Sequence, residues 1–253
     1  MSLGSMQVVN GADGSAAGLG RLGPYSAAVL ALAADAHLKC WLDADPLWQL
    51  PAAGSTNGAP ADRQGSNGFT MTGVTAATGI NGKPTFNFPG GAGPGIFSTG
   101  NVLPAADWTL SLVGKPSTSA EILFCAGSAT SSSGMGIERN ASNGIQMIVN
   151  GSSAPILSSN GIWASGTILH VEVCYTQSTK LMSLLINGVL NTSHTLAADQ
   201  SNLTLCLGDD ANSANGWKGD LAEFMVWDVD LSAVANPVRQ ANLRTHITAK
   251  FGV

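Results

Sequence analysis

Charged residues are scarce in this sequence, and positive charge is the scarcer sign. Lys and Arg number 11 against 16 Asp and Glu, charged residues make up 11% of the chain, and the formal net charge is −5. No run of Lys or Arg occurs. Because phosphate groups are bound by clustered cations, this composition argues against a nucleic-acid partner and against an anionic membrane surface.

Paired cysteine motifs are also missing. The chain has no C-x-x-C motif, and its 4 cysteines each lie inside an apolar, strand-like run: Cys40, Cys125, Cys174 and Cys206. Without a Cys/His cluster, a zinc site is not indicated. We expect four buried free thiols, as in a protein assembled in a reducing cytosol. A disulfide between adjacent strands stays open as an alternative.

No apolar run is long enough to cross a bilayer as a helix. Residues 27–36 (AAVLALAADA) resemble the apolar part of a signal peptide, but a stretch rich in Gly, Ser and Ala precedes them where a short basic segment would be needed. We therefore predict no signal peptide. The sequence predicts a short helix or linker over residues 25–37, with Ser26 as its cap.

Turn-forming residues are abundant. Gly numbers 31, and many short β-forming runs are separated by Asn-Gly pairs, which suit type I′ hairpin turns because both central residues need a positive φ. These pairs begin at Asn10, Asn57, Asn67, Asn81, Asn143, Asn150, Asn160, Asn187 and Asn215. The pattern predicts an all-β sandwich or barrel. Residues 231–250 instead show helical spacing, with Asn236 as N-cap and Pro237 at the first position.

An ordered series of segments resembles a known family. The series runs from LKCWLDAD (38–45) through KPTFNFPGG (83–91) to the Asn187-Gly188 hairpin and KGDLAEFMVWDVDLS (218–232). It is similar to concanavalin A-like domains of the laminin G-like type, of the kind found in bacteriophage virion proteins. The resemblance implies a two-sheet antiparallel jelly-roll sandwich with short N-terminal and C-terminal helices.

The resemblance and the composition together predict three parts of the chain. Residues 1–24 form a Gly-rich N-terminal arm, residues 25–37 the short helix or linker, and residues 38–253 the jelly-roll domain. Within that domain we expect a long loop region over residues 46–83, because turn signals dominate there.

Catalysis is not expected. The glucanase branch of this family carries its paired carboxylates on an E-x-D-x-E run, and no such run exists here. Each glutamate stands alone: Glu121, Glu138, Glu172 and Glu223. The histidines are scattered and none lies in a G-x-S-x-G or H-E-x-x-H context. We predict a protein that is not an enzyme.

Ligand sites are only weakly indicated. Asp209 and Asp210 would be the Ca²⁺ ligands at the sandwich rim, although an acidic turn without any cofactor is the preferred interpretation. For a glycan, Trp163 would be an exposed platform beside the amides of Asn212 and Asn215. Trp217 is expected in the core.

Two functions follow from the resemblance. The preferred one is a non-enzymatic structural component of a bacteriophage virion, assembled in the host cytoplasm, and specifically a capsid decoration protein. It would form homo-oligomers or bind other virion proteins through the anchors of its N-terminal arm, which are Val8, Val9, Leu19, Leu22 and Tyr25. The alternative is a carbohydrate-binding lectin-like module of a phage tail or bacterial surface protein.

The cysteine contexts make the first testable prediction. Thiol titration of the native protein should detect few reactive groups because the thiols are buried, whereas the denatured protein should show all 4. Titration without reductant in denaturant is the measurement. Recovery of only half of the thiols would instead indicate a disulfide.

Overall fold

A computed structural model describes residues 27–253, with gaps at 45–48, 51–56, 61, 66, 118–120, 128–133, 150–151, 198, 201–202 and 209–215. Several residues predicted for function lie outside the described residues: Val8, Val9, Leu19, Leu22, Tyr25, Asp209, Asp210, Asn212 and Asn215. The predicted boundaries of the arm and the linker stay predictions.

The fold consists of two antiparallel β-sheets and two helices, and the prediction of an all-β jelly-roll sandwich is confirmed. The helices are α1 (Ala27–Ala33) and α2 (Pro237–Phe251). The strands, in chain order, are β1 (Leu38–Asp43), β2 (Gln49–Leu50), β3 (Asn57–Pro60), β4 (Phe69–Thr72), β5 (Thr75–Ile80), β6 (Lys83–Pro89), β7 (Gly95–Asn101), β8 (Trp108–Pro116), β9 (Glu121–Gly127), β10 (Gly134–Arg139), β11 (Ile145–Val149), β12 (Ser152–Leu157), β13 (Leu169–Thr176), β14 (Leu181–Ile186), β15 (Val189–Thr195), β16 (Thr204–Leu207) and β17 (Lys218–Trp227).

The chain passes several times from one sheet to the other. The first sheet has the order β15-β14-β13-β8-β17-β6-β5, and β1 pairs with the second half of β17. The second sheet has the order β12-β11-β10-β9-β16-β7-β4-β3-β2. Two hairpins turn on Asn-Gly pairs in which both residues have positive φ: Asn81 (49°) with Gly82 (71°), and Asn187 (48°) with Gly188 (71°). These are the turns that the Asn-Gly pattern predicts.

The central strands of the first sheet, β8, β13 and β17, are buried on both faces. On β13, Val171, Val173 and Tyr175 point into the core between the sheets, whereas the intervening His170 and Glu172 lie on the outer face. On β8, Trp108 packs against Tyr175 with ring centroids 5.4 Å apart. A surface sheet would be polar on its outer face and exposed there. Here the outer face of the central strands is buried because helices cover it.

Helix α2 covers that outer face and begins where the sequence predicts. Pro237 occupies its first turn, and Gly252 ends it in the left-handed conformation (φ 76°), donating its N–H to the carbonyl of Thr248. Asn236 is the N-cap residue but makes no side-chain capping bond. Its amide group instead donates to the carbonyl of Asp230, at 2.7 Å.

Helix α2 contacts the sheet through a row of apolar side chains. Its buried Leu243, Ile247 and Phe251 belong to one hydrophobic cluster with Trp41 and Trp227 of the outer sheet face. Helix α1 joins the same cluster, with Leu32 only 1% exposed. Burial of this surface, at about 25 cal/mol per Å² of apolar area, supplies the main attraction between helices and sheet.

The long loop region predicted over residues 46–83 is wrong. That stretch contributes the strands β2, β3 and β4 and the longer strand β5. β5 reads TAATGI, whose side chains are small, and most of them are only partly buried beside β6 at the edge of the first sheet. Because β5 buries little apolar surface, its sequence lacks the alternation of apolar and polar residues by which a strand is recognised.

The cysteines that can be assessed agree with the prediction. Cys40 and Cys174 are free and buried, and Cys206 is buried; the side chain of Cys125 lies outside the described part. In that part, no helix is long and apolar enough to span a membrane.

Candidate functional site

A polar layer lies between the outer face of the first sheet and α2. It consists of strand residues Asp43, Ser111, His170, Glu172 and Glu223 and of helix residues Gln240, His246 and Lys250. The strand residues reach one face because side chains alternate along a strand. The helix residues reach it because positions three and four apart share one side of a helix. We call this set the helix–sheet polar layer.

Glu223 is the centre of the layer. Its side chain is 1% exposed, and His246 Nε2 lies 2.8 Å from Oε2 while Lys250 Nζ donates to Oε1 at 2.7 Å. Trp41 Nε1 donates to the same Oε1 at 3.3 Å. Burial acts to raise the pKa of Glu223, but the neighbouring His246 and Lys250 outweigh it and hold that pKa well below its usual range.

Asp43 extends the layer along β1. Its Oδ2 accepts from Lys250 Nζ at 2.9 Å and from Arg63 Nη1 at 3.1 Å. The Arg63 guanidinium also lies over the Trp41 ring, 3.7 Å from its centroid. Burial, and then the charge of Glu223, raise the pKa of Asp43 to about 6. Lys250 therefore bridges two buried carboxylates, and these two carboxylates and their hydrogen bonds hold its own pKa above the ordinary value against the effect of burial.

A second group in the layer has the order of a catalytic triad. Ser111 Oγ lies 2.8 Å from His170 Nε2, and His170 Nδ1 lies 3.6 Å from Glu172 Oε1. Gln240 Nε2 donates to Glu172 Oε2 at 2.7 Å. Burial lowers the pKa of His170 to about 3 and raises that of Glu172. Ser111 is only 1% exposed, so this hydrogen-bond chain offers substrates no route to its hydroxyl.

A cleft of about 650 Å³ lies beside the layer, between α2 and the β14–β15 turn, and the buried His170 is the layer residue that lines it. We call it the helix cleft; its lining residues are His170, Asn187, Arg244, Thr245, Thr248, Ala249 and Val253. Arg244 Nη2 donates to the Asn187 carbonyl at 3.0 Å. A side chain at Gly188 would overlap the guanidinium, so glycine in this turn lets Arg244 lie across it. The cleft walls thus present amide, hydroxyl and guanidinium groups.

The expected exposed platform at Trp163 is wrong. Trp163 is fully buried, its ring packs against Trp217 with the centroids 5.1 Å apart and the planes tilted by 44°, and its Nε1 donates to the Thr167 carbonyl at 3.1 Å. A fully buried ring cannot stack on a sugar. Trp217 is buried as expected. The described residues therefore do not bring together the sugar site predicted around Trp163, and its Asn212 and Asn215 fall in a gap.

The predicted Ca²⁺ ligands, Asp209 and Asp210, lie in the same gap, outside the described residues. Elsewhere, within the part of the chain that the structure describes, no three His, Cys, Asp or Glu side chains come together as a metal site would need. Whether Ca²⁺ binds at the rim stays a prediction.

Sequence analysis missed the helix–sheet polar layer, although a signal for it existed. In the strand LHVEVCY, His170 and Glu172 alternate with core residues, a pattern typical of a strand with one buried face. In RQANLRTHITAK, polar residues interrupt the apolar side of the helix at Gln240, His246 and Lys250. A buried strand facing a helix with matching polar positions predicts a polar interface, but only once the two are known to pack together.

Comparison with known proteins places the fold in a family. Residues 89–234, more than half of the chain, match the profile described as "Concanavalin A-like lectin/glucanases superfamily". No curated protein sequence matches significantly.

Solved structures of the same fold include carbohydrate-active proteins. A Trypanosoma rangeli sialidase bound to 2,3-difluorosialic acid matches with a TM-score of 0.59 and 11% identity; the match covers 84% of this chain and 33% of the sialidase, so this chain corresponds to about a third of that enzyme. Domain 4 of AbnA, a GH43 extracellular arabinanase from Geobacillus stearothermophilus solved with arabinotriose, matches with a TM-score of 0.56 and 18% identity over 82% of this chain and 98% of that domain. At these identities the likeness concerns the fold.

The polar layer generates a stability prediction. Lys250→Met should lower the free energy of unfolding by about 3–5 kcal/mol, because it leaves Asp43 and Glu223 buried with one shared cation removed. Urea unfolding at neutral pH measures it. The matched control is Lys83→Met, at an exposed position of β6, which should change stability by no more than about 0.5 kcal/mol. Equal losses in the two variants would contradict the bridging role of Lys250.

Proposed function

Because this chain belongs to the concanavalin A-like lectin/glucanases superfamily, we propose that it is a non-catalytic carbohydrate-binding module whose glycan site is the helix cleft. The observation that carries the proposal is the chemistry of that cleft. Its walls combine a guanidinium, an amide and two hydroxyls from Arg244, Asn187, Thr245 and Thr248. These groups donate to and accept from sugar hydroxyls.

A structural neighbour supports the same class of ligand. Domain 4 of the arabinanase was solved with arabinotriose, and its match to this chain covers 98% of that domain. A free-standing domain of this fold can therefore take a sugar without the rest of an enzyme around it. The sialidase match covers only 33% of that enzyme, so its activity lends no argument here.

The geometry of the carboxylates favours binding over cleavage. Glycosidases place two carboxyl groups on either side of the scissile bond, in a site open to the sugar. Here Asp43, Glu172 and Glu223 are each less than 5% exposed and are held by α2. Glu138 lies on the second sheet, away from them. We infer that this chain holds a glycan without hydrolysing it.

The proposal is tested by blocking the cleft. The protein is titrated with arabinotriose and a panel of other oligosaccharides, and ¹⁵N NMR monitors the titration. We expect the amide signals of Asn187, Thr245 and Thr248 to shift. Thr245→Trp should fill the cleft and abolish binding, whereas Val238→Trp, on an exposed position nearer the start of α2, should bind as the wild type does. Unchanged binding in Thr245→Trp would refute the site.

The non-catalytic role has its own test, which is an assay for sugar hydrolysis. Hydrolysis that is lost on changing a single glutamate would refute this role, and the first residues to change are Glu121, Glu138 and Glu172.

A second candidate is the structural component of a bacteriophage virion, acting in capsid decoration. None of the neighbours named above is a virion protein. Its support is the edge strand β15, where Val189 and Leu190 are 68% and 59% exposed and the strand VLNTSHT has no Lys, Arg, Asp or Glu. Natural edge strands are usually protected by charge or proline, and an unprotected edge suits an added strand from a neighbouring subunit.

The virion candidate makes its own prediction. Deleting residues 1–24 should leave a folded domain that no longer self-associates, because the arm supplies the strand that pairs with a neighbouring copy. Light scattering after gel filtration at matched concentrations measures the mass of each form, and circular dichroism controls for folding. An unchanged oligomer in the truncated protein would exclude the arm as the attachment device.

A further inference from the structure

We propose that the glycan held in the helix cleft is acidic, and that its carboxylate pairs with Arg244. This inference rests on the proposed carbohydrate-binding function and adds the chemical class of the sugar.

Arg244 is a cation without a carboxylate partner. Among the residues that the structure describes, no Asp or Glu oxygen lies within salt-bridge distance of it, and its one hydrogen bond goes from Nη2 to the Asn187 carbonyl. By contrast, Arg63 pairs with Asp43 at 3.1 Å and Arg239 pairs with Asp35 at 3.0 Å. A guanidinium carries five N–H donors in a planar fork that fits the two oxygens of a carboxylate. Most of these donors in Arg244 remain open to a ligand.

This guanidinium is placed against the turn before any ligand arrives. It lies across the β14–β15 turn, where Gly188 has no side chain and the backbone is left-handed. The hydrogen bond to Asn187 holds its inner side. Since holding a long side chain in one geometry costs entropy, a pre-placed arginine binds an anion more tightly than a mobile one.

No charged side chain that the structure describes beneath the cleft forms a salt bridge with Arg244. Burial keeps His170 uncharged by lowering its pKa to about 3. Burial raises the pKa of Glu172, against the opposing effects of the Gln240 hydrogen bond at 2.7 Å and of the nearby charge of Arg244. The N–H donors of Arg244 are thus not taken by a described carboxylate and are available to a ligand in the cleft.

The remaining lining groups suit the rest of a sugar. Asn187 Oδ1 accepts from the His170 backbone N–H at 2.9 Å, which leaves its amide N–H groups to donate. Thr248 Oγ1 donates to the Val253 carbonyl at 2.8 Å and keeps acceptor capacity, and Thr245 is exposed. A volume of about 650 Å³ falls in the range of small-ligand sites. Hydroxyl-binding groups around one cation describe a site for an acidic sugar unit better than for a bare anion.

The test compares acidic and neutral sugars on the full chain. Calorimetric titration uses trigalacturonic acid and N-acetylneuraminic acid as acidic probes and galactotriose as the neutral one. We expect an acidic probe to bind at least ten-fold more tightly than galactotriose, with affinity falling as salt rises. Arg244→Gln should remove this preference, and Arg244→Lys should restore only part of it because lysine lacks the fork. Arg239→Gln, on the same helix, is the control and should keep the preference.

The outcomes separate the two proposals. If galactotriose binds as well as both acids, and Arg244→Gln changes nothing, the acidic ligand is wrong while the carbohydrate-binding function stands. If none of these sugars nor any of the wider panel binds, both proposals are wrong. Should Arg244→Gln fail to fold by circular dichroism, the NMR signal of the Arg244 Nε–H in the wild-type protein decides, and its failure to shift with trigalacturonic acid or N-acetylneuraminic acid overturns the inference.

Discussion

The contact of Lys250 with two buried carboxylates is the interaction on which the outer half of this structure depends. Asp43 lies on β1 and Glu223 on β17, and these strands pair with the two residues directly opposite each other. Like charges on opposite positions repel, so a cation must sit between them if both are to stay buried. Lys250 of α2 contacts both carboxylates, at 2.9 Å and 2.7 Å, and Arg63 adds a second cation at Asp43, at 3.1 Å. The helix is therefore held at one axial position over the sheet.

That constraint determines which surface remains for a ligand. Once Lys250 is fixed, the same helix face brings His246 over Glu223 and Gln240 over Glu172, and it buries Leu243 against the sheet. The outer face of the first sheet is closed along this line. What stays open is the space beside the helix near the β14–β15 turn, where Arg244 and the threonines face solvent. The glycan site proposed above is thus a consequence of how the helix docks.

The fold could be predicted from sequence because its signals are local. Asn187-Gly188 and Asn81-Gly82 adopt the left-handed turn conformations that their residue types favour, and Pro237 begins a helix as its fixed φ allows. The site could not be predicted in the same way. Asp43, Glu223 and Lys250 are isolated polar residues in sequence, and their contact exists only because β1 pairs with β17 beneath α2. The prediction of an exposed Trp163 was wrong for the same reason. In sequence it stands among turn residues, yet the chain folds it onto Trp217 in the core.

A polar layer of this kind needs an explanation beyond stability. Replacing buried ion pairs by well-packed apolar side chains is often neutral or stabilising, because the charges must first lose their water. An apolar interface would therefore hold α2 at least as firmly, but it would tolerate small shifts along the helix axis, since apolar contacts are not directional. Hydrogen bonds from Lys250, His246 and Gln240 permit one register only. Arg244 lies within the stretch of helix that these three residues fix, so the layer sets the place of the guanidinium against the turn that it must cross. We conclude that directional contacts at the centre of the helix serve the geometry of the cleft beside it.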